Sequence, residues 1–125
     1  MSDDNKRAKQ RDIQERGFSF ACRIVKLYKF LAKQRGGGEV LGRQVLRSGT
    51  SIGANLEGAA AAQSKADFVS KYSIALKEAR ETHYWLRLLK ETEVISAERL
   101  NGLTNESNQL VANLTTIVKK SRVSK

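Results

Sequence analysis

Apolar residues recur along most of the chain at steps of three and four positions, the spacing that places side chains on one face of an α-helix. Four such stretches can be separated, at about residues 6–34, 39–62, 65–91 and 96–119. The stripe of the first stretch consists of Ile13, Phe20, Ile24, Leu27, Tyr28 and Leu31. Because the connections are short, the pattern predicts one all-α domain over residues 1–125, an up-down-up-down four-helix bundle.

Local signals mark several helix boundaries. Three consecutive glycines at 36–38 follow the first stretch, where helix would be costly. Ser64 precedes the third stretch and Asp67 comes three residues later, which is a capping-box pattern. Ser96 is placed to cap the fourth helix. Both termini are basic, and we expect flexible ends, including the tail from Lys119 onward.

The second stretch is rich in small residues, with Gly49 and Gly53 inside the predicted helix. A glycine in a helix interior costs about 1 kcal/mol relative to alanine. Either a neighbouring helix approaches closely at these glycines, or the glycines break or kink the helix. Gly17 is a milder interruption of the first stretch.

The third stretch is apolar on more than one side. A heptad-like seam runs through Phe68, Tyr72, Ala75, Ala79, Thr82, Leu86 and Leu89. A second apolar set is formed by Val69, Leu76, Trp85 and Leu88. The pattern predicts a helix that is central to the bundle or shared with a second subunit.

Composition adds a strong positive charge to this picture. The 125 residues include 23 Lys and Arg against 13 Asp and Glu, a formal net charge of +10. Such a charge attracts phosphate backbones or anionic lipid. The N-terminus is too polar for a signal peptide, and no apolar run approaches the roughly 20 residues of a membrane span. We therefore expect a cytoplasmic protein that makes no membrane contact.

Part of the charge is concentrated on one side of the first helix. Four basic residues fall within about a third of its circumference at about 100° per residue: Arg16, Arg23, Lys26 and Lys33. A solvated face is the ordinary explanation, but acidic residues are nearly absent there, which favours a track for phosphate groups. Further contacts are expected from the tail residues Lys119, Lys120 and Arg122. No aromatic residue is interleaved with these side chains, which predicts backbone binding without base stacking.

Signals for catalysis or metal binding are weak. His83 is the single histidine and Cys22 the single cysteine, whereas a zinc site needs three or four ligands. The glycines at 36–38 lack the Gly-Lys-Ser/Thr of a phosphate-binding loop. We predict no catalytic residue, no metal site and no cofactor, so the protein is not expected to be an enzyme.

A group of polar residues interrupts the apolar pattern of the second helix. Ser48, Ser51 and Asn55 share one face of it, and the third helix offers Glu78 and Glu81 opposite. The structural interpretation is hydrogen bonding between helices, with Arg47 paired to one of these glutamates. The functional interpretation is a polar pocket. We favour the first, because bundles need polar contacts that fix helix register.

The same region carries a family resemblance. The run QVLRSGTSIGANLEG at 44–58, with KADF at 65–68, SIAL at 73–76 and ETHYWL at 81–86, resembles a bacterial four-helix-bundle family first noticed within intervening sequences of large-subunit ribosomal RNA. The chain is also similar to accessory variability proteins of diversity-generating retroelements. The positions that match the motif, taken as packing and assembly residues, are Gln44, Arg47, Ser48, Ser51, Asn55, Glu57 and Glu81.

The resemblance implies a ring-shaped homopentamer and, in the retroelement branch, a protein that binds RNA or DNA and a reverse transcriptase. Together with the charge, it predicts a non-enzymatic accessory protein whose oligomer binds phosphate backbones. The alternative is an interaction scaffold for an acidic protein partner without nucleic-acid contact. A third hypothesis is an enzyme built on Arg47 and Glu81.

Overall fold

A computed structural model describes residues 3–123, which fold into four α-helices with no strand among them. The helices are α1 (Asp3–Leu31), α2 (Gly38–Ala60), α3 (Lys65–Glu91) and α4 (Ala97–Val123). The predicted all-α class with four helices is confirmed. Residues 1, 2, 124 and 125 lie outside the described part of the chain.

The helix ends differ from prediction mainly at α1 and α4. α1 stops at Leu31, and the connection passes through Gly36 and Gly37 at φ values of 74° and 96°, a left-handed conformation that suits glycine. α4 continues to Val123, so the basic residues Lys119, Lys120 and Arg122, expected in a flexible tail, are helical. The apolar stripe of α4 extends to the buried Val118, which keeps this end of the helix packed.

Ser64 begins α3 as its sequence pattern predicts. Its hydroxyl accepts a hydrogen bond from the Asp67 backbone N–H at 3.0 Å. The Asp67 carboxylate in turn accepts one from the Gln63 backbone N–H at 3.3 Å. The first bond satisfies a backbone donor that a helix N-terminus otherwise leaves unpaired, and the second ties the residue before the cap to the first turn.

Neighbouring helices run antiparallel, as the residues that meet across them show. Along each interface residue numbers rise on one helix as they fall on the other: Gly17 with Gly53 and Ile24 with Gly49, Ser48 with Thr82 and Gly58 with Lys71, Ser73 with Arg122 and His83 with Ser107, Arg16 with Glu106 and Phe30 with Arg99. α2 packs closely on α1 and on α3, and α3 packs on α4, whereas α1 and α4 approach each other at few points. One end of the bundle therefore gathers the start of α1, the start of α3 and the last turns of α2 and α4.

The core is formed by the predicted apolar stripes. Phe20, Ile24 and Leu31 of α1 are almost completely buried, as are Leu110 and Leu114 of α4. Each such side chain contributes about 1.5–3 kcal/mol through removal of apolar surface from water. α3 lies between α2 and α4, which explains why its sequence is apolar on two sides.

The glycines of α2 are positions of close approach to α1. A Cβ on Gly49 would lie 2.9 Å from both γ carbons of Ile24, and one on Gly53 would lie 3.2 Å from the Gly17 carbonyl oxygen. α2 is continuous through both positions. Of the two interpretations of these glycines, close helix approach is confirmed and the helix break is wrong.

Candidate nucleic-acid interface

Arg16 takes part in an internal ion pair that joins α1 to α4. Its Nη2 lies 3.2 Å from Glu106 Oε1, and its Nε donates to Glu106 Oε2 at 3.2 Å. Nη2 also donates to the Gln109 side-chain oxygen at 3.2 Å. Only 25% of the Arg16 side chain is exposed. Arg16 is thus paired with Glu106 within the fold, unlike a free basic side chain, and its predicted contact with phosphate stays a prediction.

Two further arginines cross the seam between α1 and α4. Arg23 is exposed, and its Nη2 lies 2.8 Å from the point where a Cβ on Gly102 would stand. On the other helix, the Arg99 guanidinium carbon lies 4.3 Å from the centroid of the Phe30 ring, a cation–π contact. Long polar side chains, rather than interlocked apolar ones, therefore span this seam.

The remaining members of the predicted arc face solvent. Lys26 lies on the exposed side of α1, and Lys33 lies in the connection that follows the helix. Neither forms an ion pair with another residue of the described chain. Together with Arg23, these two lysines are the part of the arc that stays available to a ligand.

The three basic residues at the end of α4 point in different directions. Lys120 lines a cavity between α1, α3 and α4. Arg122 lines a neighbouring groove between α3 and α4, where its Nη2 donates to the Ser73 hydroxyl at 3.3 Å. Lys119 is exposed. These three basic residues are close together in the sequence, but α4 directs them to separate surfaces.

The cavity lined by Lys120 has a volume of about 590 Å³ and lies at the end of the bundle where α1 and α3 begin and α4 ends. Its basic lining comes from three helices: Lys6, Lys9, Arg16, Lys65 and Lys120. Asp12 is the acidic residue of the lining, and apolar contact is provided by Ile13, Phe68, Tyr72 and Ile117. We refer to it as the basic cavity.

Two aromatic rings form part of its wall. The ring centroids of Phe68 and Tyr72 are 4.6 Å apart and the rings are tilted by 41°. Tyr72 is 2% exposed, and burial raises the pKa of its hydroxyl. The absence of aromatic residues between the basic ones in the sequence is therefore misleading, because the fold brings α3 rings beside α1 and α4 lysines. A local hint was the position of both rings on one face, directly after Lys65.

The polar group of α2 joins that helix to α3. Ser48 Oγ and Thr82 Oγ1 are hydrogen-bonded at 2.9 Å, and both residues are fully buried. Arg47 Nη1 lies 3.3 Å from Glu78, and its Nη2 pairs with Glu81. The predicted pairing of Arg47 with a glutamate of the facing helix is confirmed. The Arg47 side chain is half exposed, so this pair lies at the rim of the interface.

The other motif positions serve different contacts. The Asn55 amide donates to the Ser51 carbonyl at 2.9 Å and to its hydroxyl at 3.1 Å, within α2. Glu57 accepts a hydrogen bond of 2.6 Å from the Gln14 amide of α1, so it faces away from α3. Gln44 is exposed. The seven motif residues therefore divide among several surfaces and do not line one shared pocket.

His83 joins α3 to α4. Its Nδ1 lies 2.8 Å from the hydroxyl of the buried Ser107, which itself donates to the Thr104 carbonyl at 2.8 Å. Because that hydroxyl has one proton, we assign the proton of the shared bond to His83. Burial lowers the pKa of His83, and the positive charge of Arg87 lowers it further.

The described residues contain neither a metal-binding cluster nor a membrane-spanning helix. Within residues 3–123, no group of three or more His, Cys, Asp or Glu side chains is arranged to hold a metal ion. Over the same range, no helix has the length and hydropathy needed to cross a bilayer.

The fold and the charge distribution define a small basic protein of four antiparallel helices, with a cationic cavity at one end. Residues 9–116 match the family model described as 23S rRNA-intervening sequence protein, and the chain belongs to that family. The resemblance expected from the 44–58 run is confirmed to that extent.

A similar solved structure comes from Bacteroides thetaiotaomicron VPI-5482 and is described as a protein with unknown function from the S23 ribosomal protein family. The two chains are 48% identical, and the alignment covers 89% of this chain and 98% of the other with a TM-score of 0.82. A comparison with curated proteins gave no match.

Proposed function

We propose that this protein is a non-enzymatic accessory protein that binds RNA, or DNA, through the phosphate backbone. The observation that carries the proposal is the basic cavity, where lysines of three helices converge around one acidic side chain. Bringing like charges together is unfavourable unless an anion neutralises them. Binding of a polyanion releases its condensed counterions, which drives association.

The exposed lysines of the cavity are the strongest contacts in this proposal. Lys65 and Lys120 are exposed and form no ion pair within the described part of the chain. Arg23, Lys26 and Lys33 extend the positive surface along α1. A strand leaving the cavity along α1 would remain next to positive side chains.

Family membership supports RNA as the first ligand to test. The family is named for an intervening sequence of 23S rRNA, although the name by itself assigns no binding activity. A reverse transcriptase is a second partner in this proposal, and it rests on the likeness to retroelement accessory proteins alone.

We also propose that the protein works as a homo-oligomer, with the pentamer that the resemblance implies. Support comes from the outer face of α3, where Ile74 is 38% and Tyr84 53% exposed, and where Leu88 is half-buried. Burial of such side chains against a second subunit would remove apolar surface from water. Light scattering after size-exclusion chromatography tests this, and a monomer at micromolar concentration would contradict it.

The RNA proposal is tested by measuring affinity for a short single-stranded RNA at several salt concentrations between about 50 and 200 mM. The variant K65Q/K120Q removes two charges from the basic cavity. The matched control R80Q/K90Q removes two exposed charges of α3 outside it. We expect the cavity variant to make the slope of log K against log salt less negative by about 1.4, since each of the two lost phosphate contacts contributes about 0.7.

The control should leave the salt slope nearly unchanged. Equal effects of the two variants would show that net charge, not the cavity, controls binding. Affinity that does not change with salt would contradict the proposal as a whole.

The alternative function, a scaffold for an acidic protein, is favoured by the groove between α3 and α4. There Lys77 and Arg122 flank the apolar Val69 and Ile74, a combination that suits an acidic amphipathic segment. RNA binding that is absent even at low salt would favour this function over the first.

A further inference from the structure

The basic cavity contains more than a phosphate-binding surface requires. Contacts to phosphate backbones need positive side chains and little else. Here the lysines surround an apolar and aromatic wall to which Phe68, Tyr72 and Ile117 contribute. The volume of about 590 Å³ lies within the range of roughly 300–1,000 Å³ that is typical of small-molecule sites.

Tyr72 adds a second, independent observation. The residue is 2% exposed and lines the cavity, yet its hydroxyl forms no hydrogen bond with any residue of the described chain. Among the described residues no buried side-chain nitrogen or oxygen lacks a hydrogen-bond partner, so this unbonded hydroxyl reaches solvent at the cavity and is not sealed in the core. The hydroxyl is therefore available to a ligand that carries an acceptor or donor group into the cavity.

These features restrict the chemistry of the ligand. Lys65 and Lys120 favour an anionic group, the half-buried Phe68 favours a flat ring, and the Tyr72 hydroxyl favours a polar edge on that ring. Asp12 offers an acceptor for hydroxyl groups. Inorganic phosphate would leave the aromatic wall uncovered, and a purely apolar molecule would leave Lys65 and Lys120 without a counter-charge.

We propose that the basic cavity binds one nucleotide unit, with its phosphate among the lysines and its base against the Phe68 and Tyr72 wall. The unit is either part of a single-stranded RNA or a free nucleoside monophosphate. In the first case the inference rests on the proposed function, to which it adds a base-binding pocket. In the second case it is independent of RNA binding.

Calorimetric titration tests this with adenosine monophosphate, adenosine and inorganic phosphate as separate ligands. We expect the monophosphate to bind at least about tenfold more tightly than either of the others, because only it engages both lysines and rings. Removal of the hydroxyl in Y72F should weaken that binding by about 3- to 10-fold. K120Q should weaken it through loss of the charge.

Each variant has a matched control. Y28F removes the hydroxyl of a half-buried tyrosine of α1 that lies outside the cavity, and K90Q removes a lysine charge from the last turn of α3. Both controls should bind the monophosphate as the unchanged protein does. Thermal melting of all four variants verifies that they are folded.

The outcomes separate this inference from the proposed function. A monophosphate that binds no better than phosphate or adenosine, or that binds equally well to Y72F and K120Q, would overturn the inference while leaving salt-dependent RNA binding intact. Monophosphate binding that depends on Tyr72, without any RNA binding, would support the cavity as a site for free nucleotide and contradict the proposed function. Competition between the monophosphate and RNA would identify a strand as the source.

Discussion

On one side of α1, the backbone of Gly17 meets the backbone of Gly53, and Gly49 lies against the branched carbons of Ile24. On its other side, Arg16 reaches Glu106, and Arg99 of α4 covers the ring of Phe30. The first interface is close because glycines occupy its contact positions, Gly17 on α1 and Gly49 and Gly53 on α2. The second is wider because long polar side chains bridge it.

This difference assigns separate roles to the two sides of α1. A closely packed interface specifies which helices are neighbours, because any atom added there must displace one that is already packed. A seam held by arginines tolerates gaps, and at its end the gap widens into the basic cavity. The close interface and the proposed ligand site therefore lie on opposite sides of one helix.

The largest effect is expected from filling the close interface. G49A places a Cβ 2.9 Å from two carbons of Ile24, which is fully buried and cannot move away cheaply. We expect a loss of about 1–3 kcal/mol in the free energy of unfolding, despite the better helix propensity of alanine. Urea unfolding measures it. Unchanged or increased stability would show that the α1–α2 interface is looser than described.

A glycine-to-alanine substitution at Gly102 of α4, which faces the other side of α1, should raise the free energy of unfolding. G102A places a Cβ 2.8 Å from Arg23 Nη2, the end of an exposed and flexible side chain. We expect the free energy of unfolding to rise by up to about 1 kcal/mol from helix propensity alone. Urea unfolding beside G49A provides the comparison. A loss of stability would mean that Arg23 is held in place as firmly as Ile24.

A smaller effect is expected for the ion pair of the seam. In a double-mutant cycle of R16Q and E106Q, the coupling free energy should be about 0.2–1 kcal/mol, since both side chains are partly exposed. The coupling should decrease at high salt. E106Q also releases the Arg16 charge, which should steepen the salt slope of RNA binding by up to about 0.7. A shallower slope would argue against a seam that contacts RNA.

The smallest effect is expected at the α3–α4 interface. Its stability should depend on pH, whereas the stability of the α1–α4 seam should depend on salt. The pKa of His83 is lowered in the folded protein by burial, so the unfolded chain binds the proton more readily. With respect to His83, the free energy of unfolding is therefore highest above about pH 6.5, the ordinary histidine pKa, and it decreases as the pH is lowered below that value. H83Q should reduce this dependence when urea unfolding is measured at a series of pH values. A histidine-dependent gain in stability at acidic pH would contradict the assignment.

The sequence predicts the fold well because its periodic signals are local. The stripe residues Phe20 and Ile24 identify the buried face of α1, and Ser64 identifies the start of α3. Gly49 and Gly53 predicted close approach correctly because few other reasons place glycines inside a helix. These features depend on neighbouring positions along one helix, and the sequence displays them directly.

The candidate site was less predictable because it depends on contacts between helices. Nothing in the sequence around Arg16 shows that Glu106 will neutralise it across the seam. Lys120 and Arg122 are two positions apart, yet their helix rotation sends them to different grooves. To predict that Lys65 and Lys120 lie at the same cavity, one must know how the ends of α3 and α4 align. The periodicity within a single helix does not give that alignment.

Lysine acetylation, measured by mass spectrometry with and without a short single-stranded RNA, would locate bound RNA on the protein. We expect RNA to protect Lys6, Lys65 and Lys120 at the basic cavity, with little protection of Lys90 at the other end of α3. Equal protection of all four lysines, or protection of Lys90 alone, would contradict the assignment of RNA binding to this end of the bundle.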